Sequence, residues 1–167
     1  MKRWGGWTAA AAALAYSGNL SLSEFFHDDQ LLIAGNGLLR LGWRGLWGLW
    51  TTGYWEAVQG LMSTAHYYRP VPMTTFWFQT ATTGLWVPAM HAVNIGLHVL
   101  VVLLLHRVLL RRLEPRVADT AAVFYAVSPM HTEAVTALAG RSEMLGASFI
   151  LGAWLCLEGS SRGRRRW

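Results

Sequence analysis

Asp28 and Asp29, preceded by His27, are the residues of this sequence best placed to do chemistry. Adjacent side chains diverge, by about 100° on a helix and to opposite faces of a strand, so the two carboxylates cannot serve the same end. One can act as a general base while the other orients it, binds a cation or caps the segment from Gln30 to Ile33. A base that deprotonates a hydroxyl works best with its pKa raised toward neutrality, which burial and a like-charged neighbour both favour. Arg69 and Arg141 are the candidates for holding an anionic group, because guanidinium pairs with phosphate bidentately and keeps its proton. Glu56, Glu133 and Glu143 offer the same arginines ordinary ion pairs. His131-Thr132-Glu133 is too compact for a zinc motif, so no metal site is assigned. His27, His66 and His91 add imidazoles without a ligand spacing, which leaves a divalent cation at the acidic pair as the one open cofactor. There is no glycine-rich phosphate loop, no Ser/His/Asp signature and no nucleic-acid motif.

The elements that position these groups read as membrane helices. The chain is 53% hydrophobic and 14% charged over 167 residues, with ten tryptophans, whereas soluble domains carry about 25% charged residues. The net charge of +5 is not spread over a binding face. Ten of the fourteen Lys and Arg fall at Lys2-Arg3, between Arg107 and Arg116, and between Arg162 and Arg166. Basic clusters that recur between apolar runs mark cytoplasmic loops. Cys156 is the only cysteine, which excludes an intrachain disulfide.

Four spans are expected, at residues 4–22, 89–106, 117–128 and 144–157, making an all-α polytopic module. The first resembles a signal peptide but lacks a small-residue cleavage site, and reads as an uncleaved span. The clearest is 89–106, which covers roughly 27 Å at about 1.5 Å per residue. His91, Asn94 and His98 fall within an arc of about 60° on its wheel, a polar stripe that must face a bundle or cavity rather than lipid.

Residues 23–88 form a long outer loop. Within it Leu39, Trp43, Trp47, Trp50 and Tyr54 follow helical spacing, which predicts a tryptophan-faced helix lying in the headgroup layer. Pro70 and Pro72 predict a rigid entry into a short interfacial helix over 73–86. Residues 129–143 form a second outer loop with a short helix from Thr132 to Gly140, and 158–167 a cytoplasmic tail. This topology gathers His27, Asp28, Asp29, Glu56, His66, Arg69, His131, Glu133, Arg141 and Glu143 on the outer side and leaves the arginine excess inside.

Seven segments in order carry a resemblance: Phe26-His27-Asp28-Asp29, Thr52-Gly53-Tyr54-Trp55, Tyr68-Arg69-Pro70-Val71, Gly84-Leu85-Trp86, the run from His91 to His98, the run from Ser128 to Val135, and Gly140-Arg141-Ser142-Glu143. Together they resemble the N-terminal part of the transmembrane-and-tetratricopeptide-repeat O-mannosyltransferases and their bacterial relatives, of the GT-C class, over roughly residues 16–157. The resemblance implies transfer of mannose from a dolichol- or polyprenol-phosphate donor to Ser or Thr of an acceptor protein, outside the cytoplasm. It implies that Asp28 or Asp29 assists the hydroxyl and that Arg69, His131, Glu133, Arg141 and Glu143 line the donor or acceptor site. Where the family usually has His-Pro, this chain has Ser128-Pro129, so that histidine's role is lost or passes to His131. The family has further spans and a repeat domain, so a non-catalytic scaffold or truncated copy is the alternative. A bacterial inner membrane is the favoured location, and a eukaryotic host implies the endoplasmic reticulum.

Overall fold

Val87–Leu109 is a 23-residue helix (α4) with proline in its first turn, where the missing N–H costs nothing. The computed structural model describes residues 4–56 and 67–164, the side chains of Trp4 and of residues 160–164 apart. His66 lies outside the described residues. Three other helices pack on α4: α1 (Trp4–Ala15), α5 (Pro115–Val127) and α7 (Arg141–Arg164). Small residues let the backbones approach: Ala12 of α1 and Ala118, Ala122 and Ala126 of α5 are completely buried. The outward sides carry Trp7, Leu14, Leu100, Phe124, Phe149, Ile150 and Leu157, all exposed.

These four helices stand where four spans were expected, but they do not qualify equally. Among the described residues α4 alone is long and apolar enough to cross a bilayer. With 12 and 13 residues, α1 and α5 cover only about 18–20 Å at 1.5 Å per residue. The first expected span, 4–22, is not continuous: α1 ends at Ala15 and a 3-10 turn, Ser17–Ser21, follows. The polar sequence Ser17-Gly18-Asn19 explains the break. Ser17 Oγ donates back to the Leu14 carbonyl, and Asn19 reaches across to Thr136. At the other end of the bundle α7 continues past residue 157 to Arg164.

One end of the bundle carries a helical layer. A one-turn π segment (Gln30–Ala34) and a 3-10 turn (Gly37–Arg40) lead into α2 (Gly42–Thr51), which lies beside α3 (Pro70–Thr83). Indole and phenol groups fasten the pair: Trp77 Nε1 donates to the Gly42 carbonyl, Trp50 Nε1 to Thr74 Oγ1, and Tyr68 Oη to the Trp50 carbonyl. Beneath them Leu32, Ile33, Leu39, Leu49, Tyr54, Met73, Phe76, Met90 and Leu138 form one apolar core.

The five-residue face expected here splits. Trp43, Trp47 and Trp50 project outward, while Leu39 and Tyr54 are buried. Gly42, at φ 53°, resets the chain between the 3-10 turn and α2, and Tyr54 lies beyond the helix end, so helical phase does not carry through. Gly84, at φ 67°, closes α3 in a conformation that side chains resist.

The second loop is three short pieces: a 3-10 turn Pro129–His131, helix α6 (Thr132–Thr136) and a 3-10 turn Leu138–Gly140. Gly140 is required there, since a Cβ would stand 2.5 Å from the Ala134 carbonyl oxygen. The opposite end of the bundle holds the basic turn. Arg111 and Arg112 both pair with Glu158 of α7, Arg111 at 3.2 Å, and His106 Nε2 lies 2.6 Å from Asp119 Oδ1.

Candidate active site

The acidic pair sits on a tight turn. His27 has φ 47°, an unusual backbone for a residue with a side chain, and Asp29 N–H donates to the Phe26 carbonyl at 2.9 Å. The turn separates the two aspartates: Asp28 is exposed and Asp29 is 2% exposed. Asp29 Oδ2 accepts from Leu138 N at 2.9 Å and Oδ1 from Ala139 N at 2.8 Å. One carboxylate thus satisfies both donors at the start of the 138–140 turn and joins the two outer loops. Burial raises the pKa of Asp29; the two amide hydrogen bonds and His27 pull it down, and Asp28 adds to the rise.

Arg69 arrives by a backbone link. Tyr54 N donates to the Tyr67 carbonyl at 2.7 Å, which brings 67–69 back beside Tyr54. The guanidinium carbon lies 5.4 Å from the Tyr54 ring centroid and 5.3 Å from that of Tyr67. Arg69 Nη1 donates to Ser142 Oγ at 3.1 Å. Burial pushes the Tyr54 phenol up to about 12, against the pull of Arg69, so it stays protonated at neutral pH.

Between these groups opens a cavity of about 650 Å³. His27, Asp28, Asp29, Arg69, Glu133 and Glu143 all line it, drawn from both outer loops and the start of α7. Phe26, Tyr54, Trp55 and Tyr67 supply an aromatic wall. Polar and charged groups that converge in a part-apolar cleft are the arrangement expected of a ligand site. Among the described residues no three His, Cys, Asp or Glu side chains stand close enough to hold a metal ion. No step below uses a metal ion.

Two of the residues that the resemblance implicates stand elsewhere. His131 packs on Tyr125, ring centroids 4.2 Å apart, and on His98 at 5.7 Å, and it is not part of the cavity lining. Burial lowers its pKa. Arg141 is completely buried behind the cavity. Its Nε donates to Asn94 Oδ1 at 2.8 Å, Nη1 to Thr75 Oγ1 at 3.2 Å and Nη2 to the Met90 carbonyl at 3.1 Å. Phe76 offers its ring face 3.9 Å from the guanidinium carbon.

The α4 stripe faces inward at every position, with His91, Asn94 and His98 at most 2% exposed. Asn94 Nδ2 donates to the Ala137 carbonyl, and His98 Nε2 lies 3.0 Å from the Ala126 carbonyl. The stripe lies behind the site and packs the bundle. Residue spacing alone passed over Phe26, Tyr67 and Thr132 of the lining, gave Trp55 no role and set Tyr54 on the tryptophan face of a helix. The order of the motifs was the only signal for Phe26, Trp55 and Thr132, and Tyr67 lies outside the motifs.

Several known proteins are similar in sequence. Protein O-mannosyl-transferase TMTC1 of Homo sapiens is 35% identical over 149 residues, which is 88% of this chain and 17% of that protein. Protein O-mannosyl-transferase F38B6.6 of Caenorhabditis elegans is 31% identical over 140 residues, 78% of this chain and 19% of its own length. Protein O-mannosyl-transferase TMTC3 of Mus musculus is 32% identical over 107 residues, 64% of this chain and 12% of its own. The chain therefore spans about a sixth of the length of the curated relatives it matches. No family model and no solved structure matches it.

Proposed function

We propose that this chain, which belongs by sequence to the transmembrane-and-tetratricopeptide-repeat protein O-mannosyltransferases, forms the acidic site at which such an enzyme passes mannose from a lipid phosphate to a Ser or Thr hydroxyl. The observation that carries the reading is the convergence of Asp28, Arg69, Glu133 and Glu143 on one cavity beside aromatic side chains. Asp28 is the base. It is exposed in the cavity lining, whereas both oxygens of Asp29 are taken by backbone amides. In the reaction the acceptor oxygen bonds to the anomeric carbon as its proton passes to Asp28. The bond from that carbon to the phosphate oxygen breaks, and its electron pair leaves with the lipid phosphate. Arg69 stands where charge develops on that phosphate, and Ser142 together with the Tyr54 and Tyr67 rings fixes its direction.

The reading places α1, α4, α5 and α7 in a bilayer as a multi-pass module, with the cavity at its lumenal or outer face. The exposed apolar belt around the bundle suits lipid. The tryptophans of α2 suit the headgroup layer. The basic turn and Glu158 occupy the other end, where cytoplasmic charge belongs.

The test is transfer of labelled mannose from polyprenyl- or dolichyl-phosphate mannose to a Ser/Thr peptide in membranes carrying the full chain. The expected result is transfer that falls by about 10²–10⁴-fold in Asp28→Asn, the usual worth of a positioned base. Arg69→Ala raises the donor KM. Absence of transfer by the unmodified chain, with the protein folded and inserted, overturns the proposal in favour of a non-catalytic scaffold.

A further inference from the structure

Arg141 heads the fully buried side chains by volume, and the reading above gives it nothing to do. Burying a guanidinium costs several kcal/mol unless its N–H groups are satisfied. Here the three acceptors it reaches, Thr75 of α3 and Met90 and Asn94 of α4, are uncharged. The side chain therefore bolts the first residue of α7 onto two other helices.

What it bolts down is the segment that holds the site. Just before it in sequence, the amides of Leu138 and Ala139 hold Asp29. Just after it, Ser142 Oγ accepts from Arg69. Asn94 secures both ends of the same turn, accepting from Arg141 and donating through Nδ2 to the Ala137 carbonyl at 3.2 Å and the Val135 carbonyl at 3.4 Å. Gly140 leaves the segment no slack, pressed as it is on the Ala134 backbone.

We infer that Arg141 is a positioning residue: with Asn94 and Thr75 it clamps residues 138–142 so that one short segment holds both Asp29 and Arg69 in place. It touches neither the cavity nor the substrate. The consequence for catalysis rests on the proposed function, but the clamp does not, so the experiment reads the two separately.

The full chain in lipid nanodiscs is compared with Arg141→Lys, Asn94→Ala and Thr75→Val. The first readout is hydrogen exchange at the Leu138 and Ala139 amides. Exchange is expected to quicken by about tenfold or more in Arg141→Lys and Asn94→Ala, since each loses a hydrogen bond that restrains the turn. Adding Asn94→Ala to Arg141→Lys produces less than the product of the two single effects, because the residues share one bond. The second readout is transfer kinetics with lipid-phosphate mannose. All three variants are expected to lower kcat and to raise the donor KM together, since each loosens the segment that holds Asp29 and Arg69. Unchanged exchange at both amides overturns the inference. So does a raised donor KM in Arg141→Lys alone, which would mark a direct phosphate contact. If Arg141→Lys does not fold, the milder Asn94→Ala and Thr75→Val decide the matter. If the unmodified chain transfers no mannose, the proposed reaction fails and the exchange measurement still judges the clamp.

Discussion

The neighbouring aspartates should separate cleanly when each is truncated. Asp29→Ala orphans two backbone donors, Leu138 N in a buried bond and Ala139 N in a partly buried one. An unsatisfied buried donor costs about 1–3 kcal/mol, so the pair places the loss near 2–4 kcal/mol. Removing a carboxylate whose pKa burial has raised returns part of this, leaving roughly 2 kcal/mol. For a chain of this size that is a fall of about 4–8 °C in Tm. Asp29→Asn keeps one good acceptor and should lose about half as much. Asp28→Ala removes an exposed side chain and should stay within about 0.5 kcal/mol of the unmodified protein. Thermal unfolding in nanodiscs measures all three. Equal losses at the two positions, or a larger loss at Asp28, would refute the division of labour between base and strut.

Three further outcomes follow from the same coordinates. Gly140→Ala forces a Cβ to within 2.5–2.8 Å of the Ala134 backbone, so overpacking should cost about 1–3 kcal/mol in a thermal melt. The folded-state pKa of Asp29 lies above its ordinary 3.8, so the native state binds this proton more readily than the unfolded chain does. The stability of the unmodified protein relative to Asp29→Asn should therefore rise as the pH falls from neutral through that pKa, and an unfolding series against pH checks the sign. Replacing the exposed Trp43 and Trp47 by alanine should leave stability within about 0.5 kcal/mol, while fluorescence quenching by lipids labelled near the headgroups drops.

Much of the scaffold is legible in the residue pattern. Pro70 and Pro72 mark the entry to α3 because a first turn tolerates proline, although the helix starts at Pro70 and not at 73, and the span expected over 89–106 lies within α4. The stripe His91/Asn94/His98 shows its inward direction on a helical wheel, since no bilayer favours those groups. Its partners were not legible. That Asn94 meets Arg141, 47 residues away, depends on how α7 packs on α4, which no local spacing records.

Arg141 itself reads as a holder of an anionic group or as the ion-pair partner of a nearby glutamate. Its burial follows from the oxygens that α3 and α4 present to it. The helix expected over 4–22 breaks after Ala15 for a local reason: Ser17 and Asn19 bond to nearby and distant partners instead of extending it. The split between Asp28 and Asp29 was anticipated only as a divergence. Which one turns inward is decided by the left-handed backbone at His27, and a non-glycine residue gives no warning of that.

The convergence of distant segments around Asp28 can be measured without any assumption about activity. In a Cys156→Ser background, Asp28→Cys is combined with Glu143→Cys and the folded chain is treated with a short bifunctional maleimide. A rapid intramolecular cross-link is the expected result, because both positions line one cavity. Thiols that both react yet never link, while Asp28→Cys links to a position at the Glu158 end of the bundle, would contradict the arrangement from which everything else here is argued.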